Sequence, residues 1–174
     1  CFPSAPLRET IQEYIPWETE TYLKGPAPVV DVQGPEIELL RDEERDGVRV
    51  VAVKAFSPRG APTMTLYSKN KVLSASILGV EVAGADSDWY RTIHALPLDG
   101  ADVVFRIPAG QTLHLKAVER SYGLPQLESP GPRPAHFIGE PNTTLDHARP
   151  LRSDHVFVAR SFAFPPAAGV AETE

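Results

Sequence analysis

The chain has 174 residues, with 18 Pro, 12 Gly, one Cys and a formal net charge of −6, a length that suits one domain able to bury its own core. Hydrophobic residues at 42% and charged residues at 23% exclude a disordered acidic tail. The single Cys excludes an internal disulfide framework and a Cys-based zinc cluster, and the absence of a basic stripe argues against a nucleic-acid partner.

No run approaches the roughly 18 apolar residues of a membrane span, so the chain itself is expected to be soluble. Its only Met is Met64, so it reads as a processed protein or as a piece excised from a longer one. Cys1 is then a cut edge or, alternatively, the lipidated first residue of a lipoprotein.

Residues 1 to 35 read as an irregular entry segment. Leu7, Ile11, Tyr14 and Ile15 have helical spacing, but Pro3, Pro6 and Pro16 limit any helix there to a turn or two. Trp17, Tyr22 and Leu23 are expected to dock this segment onto the domain. From Glu36 the pattern changes to period two. Glu36–Leu40 and Val48–Phe56 read as strands, separated by an acidic tip that ends in Asp46-Gly47, a pair suited to the positive φ of a hairpin turn. Val48, Val50, Val51 and Val53 make the second strand apolar on both faces, which suits a central strand.

Ser57-Pro58-Arg59-Gly60 is a turn by composition. Thr63–Lys69, Val72–Val82, Trp89–Leu96, Val103–Ile107, Thr112–Ser121 and Val156–Phe164 follow as strands. Residues 123 to 154 form a long Pro-rich loop, an unusual excursion for a compact domain. Pro165 to Glu174 reads as a flexible tail. Seven or eight strands at roughly ten-residue spacing predict an all-β fold, an antiparallel β-sandwich over residues 36 to 164.

No catalytic motif emerges. His94, His114, His136, His147 and His155 form neither a His-x-Asp pair nor a His-Glu-x-x-His run, and no metal site is expected. His147 and His155 lie near Asp146 and Asp154, which ordinary loop polarity explains. Glu43-Glu44 sits in the alternating run Arg41 to Asp46, the composition of a solvated hairpin tip rather than a catalytic carboxylate pair. There is no Gly-x-Ser-x-Gly elbow and no phosphate-cradling loop. Asn142-Thr143-Thr144 matches a glycosylation sequon. Trp17, Tyr67, Trp89 and Tyr90 are candidates for an aromatic binding surface, although strand aromatics more often pack a core.

Four stretches carry a family resemblance. Ser57-Pro58-Arg59-Gly60-Ala61-Pro62 lies between two strands, and Ser121-Tyr122-Gly123-Leu124-Pro125 closes the next-to-last one. Arg133-Pro134 follows in the loop, and Asp154 to Phe164 carries Val158, Arg160 and Ser161. With Trp17 and Ala27-Pro28 upstream, the chain resembles, over most of residues 17 to 164, the C-terminal β-rich domain of bacterial membrane-anchored zinc aminopeptidases. These belong to the family of the vacuolar membrane proteases and endoplasmic-reticulum metallopeptidases.

In that family a catalytic domain binds two zinc ions, a multi-span membrane region follows, and a soluble domain ends the chain. The resemblance therefore implies a non-catalytic accessory domain on the extracytoplasmic, periplasmic face of a bacterial membrane. It would hold no cofactor of its own, zinc belonging to the parent's catalytic domain. Its partners would be the rest of the parent chain with its membrane region, and a peptide or protein. No catalytic residue carries over. Arg59, Gly60, Gly123, Pro125, Arg133, Asp154 and Arg160 stand as structural motif residues, with Arg59 and Arg133 suited to donate to backbone carbonyls or to a carboxylate such as Asp154. The rival readings are a carbohydrate- or peptide-binding module that uses a sheet face or edge, and an independent lipoprotein domain.

Overall fold

A computed structural model describes residues 8–10, 12, 21–23, 29–122 and 155–166, with the backbone alone described for 8–10 and 21–23. Contacts divide the chain into two compact units, Cys1–Val32 with Tyr122–Phe157, and Gln33–Ser121 with Val158–Glu174. In the first, β1 (Arg8–Thr10) and β2 (Thr21–Leu23) pair antiparallel, Arg8 facing Leu23 and Thr10 facing Thr21. Two short strands thus lie within the segment expected to be irregular, while Leu7, Ile11, Tyr14 and Ile15 lie outside the described residues. The rings of Tyr122, His155 and Phe157 also gather in this unit, at 5.1 Å and 6.0 Å between successive centroids.

The second unit holds the sandwich. The sandwich strands are β3 (Glu36–Arg45), β4 (Val48–Phe56), β5 (Thr63–Ser68), β6 (Val72–Ile77), β7 (Val80–Ala85), β8 (Trp89–His94), β9 (Ala101–Pro108), β10 (Leu113–Tyr122) and β11 (His155–Phe164), of which Tyr122 and His155–Phe157 fall in the first unit. One sheet runs β3-β4-β9-β6-β7 and the other β11-β10-β5-β8, with antiparallel pairing throughout the first and between β10, β5 and β8 in the second. The expected all-β sandwich is therefore the fold, with nine strands rather than seven or eight. The additional strand comes from Val72–Val82, which is not continuous. Leu78-Gly79 turns it back on itself, with φ of 50° and 80°. Alternation persists on both sides of that turn, and the turn shows only as a change of phase, from Ala75 and Ile77 to Val80 and Val82.

Inward-facing residues obey the period-two rule. Val51, Val53 and Ala55 from β4 meet Val103, Phe105 and Ile107 from β9 on one side. Met64 and Leu66 from β5, Leu113, Leu115 and Ala117 from β10, and Trp89 and Ile93 from β8 form the other. Trp89 crosses the gap and meets Phe105 edge to face, 5.2 Å between centroids at 75°, a geometry that stabilises by about 0.5–1.5 kcal/mol beyond the buried area. At β3 the charged run does not form the hairpin tip. Strand pairing continues to Arg45 past a bulge between Leu39 and Arg41, and the turn is Asp46-Gly47 alone, with φ of 52° and 77°.

Arg49 is the one full charge on the core side of β4, and it is 1% exposed. Its Nε and Nη2 donate to the two oxygens of Asp42 at 2.8 Å and 2.5 Å. Nη1 donates to the carbonyls of Gln111 at 2.6 Å and Phe164 at 3.0 Å, and Nη2 also to that of Pro165 at 2.7 Å. The five bonds match the five N–H groups of a guanidinium. Arg49→Met is expected to lower unfolding stability by about 3–5 kcal/mol, because it strands a carboxylate and three carbonyls. Arg49→Lys should recover little of that, since an ammonium has three donors and no fork. Denaturant unfolding of the two variants beside wild type measures both effects.

Candidate functional site

Three connections meet at one end of the sandwich: Ser57–Pro62 between β4 and β5, Leu78-Gly79 between β6 and β7, and residues 95–100 between β8 and β9. The first is a tight turn. Gly60 N–H donates to the carbonyl of Ser57 at 3.0 Å, and Ala61 N–H to Ser57 Oγ at 2.9 Å. Pro58 presets φ and Gly60, at φ 68°, takes the left-handed position that a side chain would strain. The result aims Arg59 back at the domain. Its Nε donates to Glu119 Oε1 at 2.7 Å, and Nη2 lies 2.6 Å from the same oxygen.

Glu119 is 0% exposed. Both guanidinium nitrogens converge on one oxygen, and Nη2 meets the distance of an ion pair without the angle of a hydrogen bond. Hence Glu119 Oε2 and Arg59 Nη2 have no hydrogen-bonding partner among the described residues. A buried pair left in this state is costly and gives little net stability, while removal of one partner costs more.

The other two connections are apolar and strained. Leu96 N–H donates to the carbonyl of Pro62 at 2.9 Å, and Leu78 N–H to that of Asp102 at 2.9 Å. These bonds tie the 95–100 loop to the Ser57–Pro62 turn, and the Leu78 turn to β9. Ala95 and Leu78 have φ of 53° and 50°, a region that costs a non-glycine residue about 1–2 kcal/mol. Leu78 is 51% exposed and Leu98 86%. Strain and exposed apolar side chains thus collect at the end that also holds the incompletely satisfied ion pair, a pattern associated with binding loops.

Of the residues singled out in the sequence, Arg59 and Gly60 are brought together here. Arg160 lies elsewhere, paired with Glu36 and 5.3 Å above the Phe162 ring. Trp17, Gly123, Pro125, Arg133 and Asp154 lie outside the described residues, as do the side chains of Tyr22 and Leu23, residues 123–154 and the tail beyond Pro166. The candidate binding aromatic Trp89 is corrected. It is 1% exposed and belongs to the core, its Nε1 donating to the carbonyl of Ala83 at 3.1 Å. Tyr90 is exposed and stacks on Tyr67 from the neighbouring strand, 6.0 Å between centroids. Thr65, on the same outer face, is buried and its Oγ1 lies 3.0 Å from Thr92 Oγ1.

Glu119 was missed in the sequence, yet its signal was present. Counting by two from Leu113 through Leu115 and Ala117 lands on Glu119, an acid in core register that requires a buried cation. Among the described residues no three His, Cys, Asp or Glu side chains come together as a metal-binding group. No protein-family model, curated relative or solved structure matches this chain.

Two predictions test the site and its neighbouring face. Arg59→Met should destabilise by about 3–5 kcal/mol, and the double variant Arg59→Met, Glu119→Leu should regain most of that loss, because the stranded carboxylate is then gone. Thermal unfolding of the two variants and of wild type completes the comparison. The Tyr67 phenol is pushed up to about 12, chiefly by burial and secondarily by Tyr90, against a hydrogen bond with Thr65 that lowers it. The folded protein therefore holds this proton more tightly than the unfolded chain. The stability it contributes is intact below pH 10 and is lost as the pH rises toward 12. Over that interval wild type should lose stability relative to Tyr67→Phe, as read by chemical denaturation at each pH.

Proposed function

We propose that this chain is a non-catalytic accessory domain of a membrane-bound zinc aminopeptidase, lying on the extracytoplasmic face of a bacterial membrane. Its role is to stabilise the parent enzyme, position substrate or bind a partner. Zinc belongs to the parent's catalytic domain. The reading is carried by the Ser57–Pro62 segment, one of the stretches that bears the family resemblance. It forms the turn that holds Arg59 against Glu119, beside the strained and exposed residues Ala95, Leu98 and Leu78. Such an arrangement suits a surface that contacts another body, since loops braced by a rigid sandwich present side chains at fixed positions.

The experiment compares the isolated chain with the product of the complete reading frame that encodes it. Both are assayed against aminoacyl-anilide substrates with zinc added and with zinc chelated. The isolated chain should give no turnover, whereas the complete product should give turnover that chelation abolishes. Turnover by the isolated chain would overturn the accessory role, and a complete product without zinc-dependent peptidase activity would overturn the link to the enzyme.

A carbohydrate- or peptide-binding module is the second reading, and the outward Tyr67–Tyr90 stack is its support. Glycan-array binding by wild type that is lost in Tyr90→Ala would favour it over the accessory role.

A further inference from the structure

An edge strand offers unpaired N–H and C=O groups, and natural sheets protect such edges. Two edges here carry visible protection. β3 has a bulge at Leu40 and a run of six alternating or paired charges from Arg41 to Asp46. On β8, Arg91 Nη1 donates to the carbonyl of Tyr90 at 2.7 Å. β7, the last strand of the five-stranded sheet, is different, and the alternation of its backbone groups is fixed by two independent sets of bonds.

Leu78 N–H donates to Asp102 on β9, so in β6 the even-numbered residues face β9 and the odd-numbered ones face β7. Val80 and Val82, which pair with Ile77 and Ala75, then turn their backbone groups toward β6, and Glu81 and Ala83 turn theirs outward. The Ala83 carbonyl confirms this, because Trp89 Nε1 and Arg91 Nη2 reach it from β8 at 3.1 Å and 3.2 Å. Those two donors close the edge at Ala83. Ahead of them, Val80 is 65% exposed and the Glu81 side chain 64%, with neither Pro nor Lys in the strand to discourage pairing.

We propose that the β7 edge at Val80–Val82 is a strand-addition site for an extended segment of a protein partner that carries a basic side chain opposite Glu81. A strand laid there would pair with the outward N–H and C=O of Glu81 and place alternate apolar side chains over Val80 and Val82. A basic residue opposite Glu81 adds a favourable cross-strand pair. Arg106, at 3.4 Å from both Glu81 oxygens and itself 41% exposed, leaves the carboxylate accessible from the free side.

A second copy of this chain is a poor occupant. Antiparallel self-pairing centred on Glu81 sets two carboxylates directly opposite each other. Centring on Val82 instead requires the Ala83 carbonyl, which is already taken. The site stands on β7 geometry alone and holds whether or not the parent is a peptidase.

The test uses the full chain and two blocked synthetic peptides, one alternating Val with Lys and one alternating Val with Glu. Amide chemical shifts and calorimetry follow the titrations. The Lys peptide should bind and shift the amides of Val80, Glu81 and Val82, and the Glu peptide should bind several-fold more weakly. Glu81→Pro removes the outward N–H and the charge but no bond to β6, and should weaken the Lys peptide about tenfold. Glu81→Lys keeps the backbone and should invert the preference between the two peptides. The site is overturned by absence of binding, by shifts that spare β7, or by equal binding to wild type and Glu81→Pro. Self-association of wild type that Glu81→Pro abolishes would overturn it equally, by assigning the edge to a second copy.

Discussion

The guanidinium of Arg49 fixes the frame on which everything else is hung. A cation in a hydrophobic interior is tolerated only when each of its donors has an acceptor, and here the acceptors come from three separated places. Asp42 lies on β3, Gln111 on the β9–β10 connection, and Phe164 and Pro165 at the end of β11. The two outermost strands of the opposite sheets, β3 and β11, are therefore tied through one side chain of a central strand. Arg160 with Glu36 makes a second tie between the same two strands. That side of the sandwich is closed by charge, and the opposite side, between β7 and β8, is closed by Trp89 and Arg91 on a single carbonyl.

The two buried ion pairs divide the labour along the strands. Arg49 lies near the Asp46-Gly47 turn, where every donor is matched and the turn residues suit their positive φ. Arg59 lies at the other end, where one oxygen and one nitrogen of the pair are unmatched. Leu78 and Ala95 occupy conformations there that Asn or Gly would adopt at less cost. One end matches every donor of its buried charge and gives its positive φ to Asp46 and Asp88, which tolerate it better than most side chains, while the other accepts Leu78 and Ala95 in that region, orphaned polar atoms and exposed leucines together. Folding alone does not favour that combination, which is why the functional reading is placed at that end.

Much of this was visible in the residues because strands with one period and one buried face write their burial into alternation. β4 and β9 are read directly from Val51, Val53 and Ala55, and from Val103, Phe105 and Ile107. The Asp46-Gly47 turn is announced by its residue types. What escaped has a physical reason in each case. Leu78-Gly79 reverses the chain with a leucine in a glycine-like conformation, so an apolar residue fills the turn and only a change of phase between Ile77 and Val80 marks it. The bulge at Leu40 shifts register by one residue where Leu39 and Leu40 are both exposed, so neither leucine marks a buried face. The partner of Arg59 lies 60 residues away, and only the phase of β10 hints at it. Trp89 begins an edge strand next to a polar loop, a place that suggests exposure until the second sheet is set against it.

The Ser57–Pro62 motif can now be assessed by what each of its residues does. Ser57 accepts from the backbone of Gly60 and Ala61, Pro58 and Gly60 shape the turn, Arg59 neutralises Glu119, and Pro62 accepts from Leu96. Every one of these jobs is architectural. A motif of this kind can mark a family without marking its chemistry, because the turn must be rebuilt wherever the same buried carboxylate has to be answered. Exposed side chains near the motif, among the described residues, are Leu98 on the loop that it braces and Leu78 on the turn tied to β9, with the edge at Val80 and Glu81 beyond. The proposed contacts therefore fall on residues outside the motif, on connections and an edge of the sandwich that the motif and the Arg49 hub help to frame.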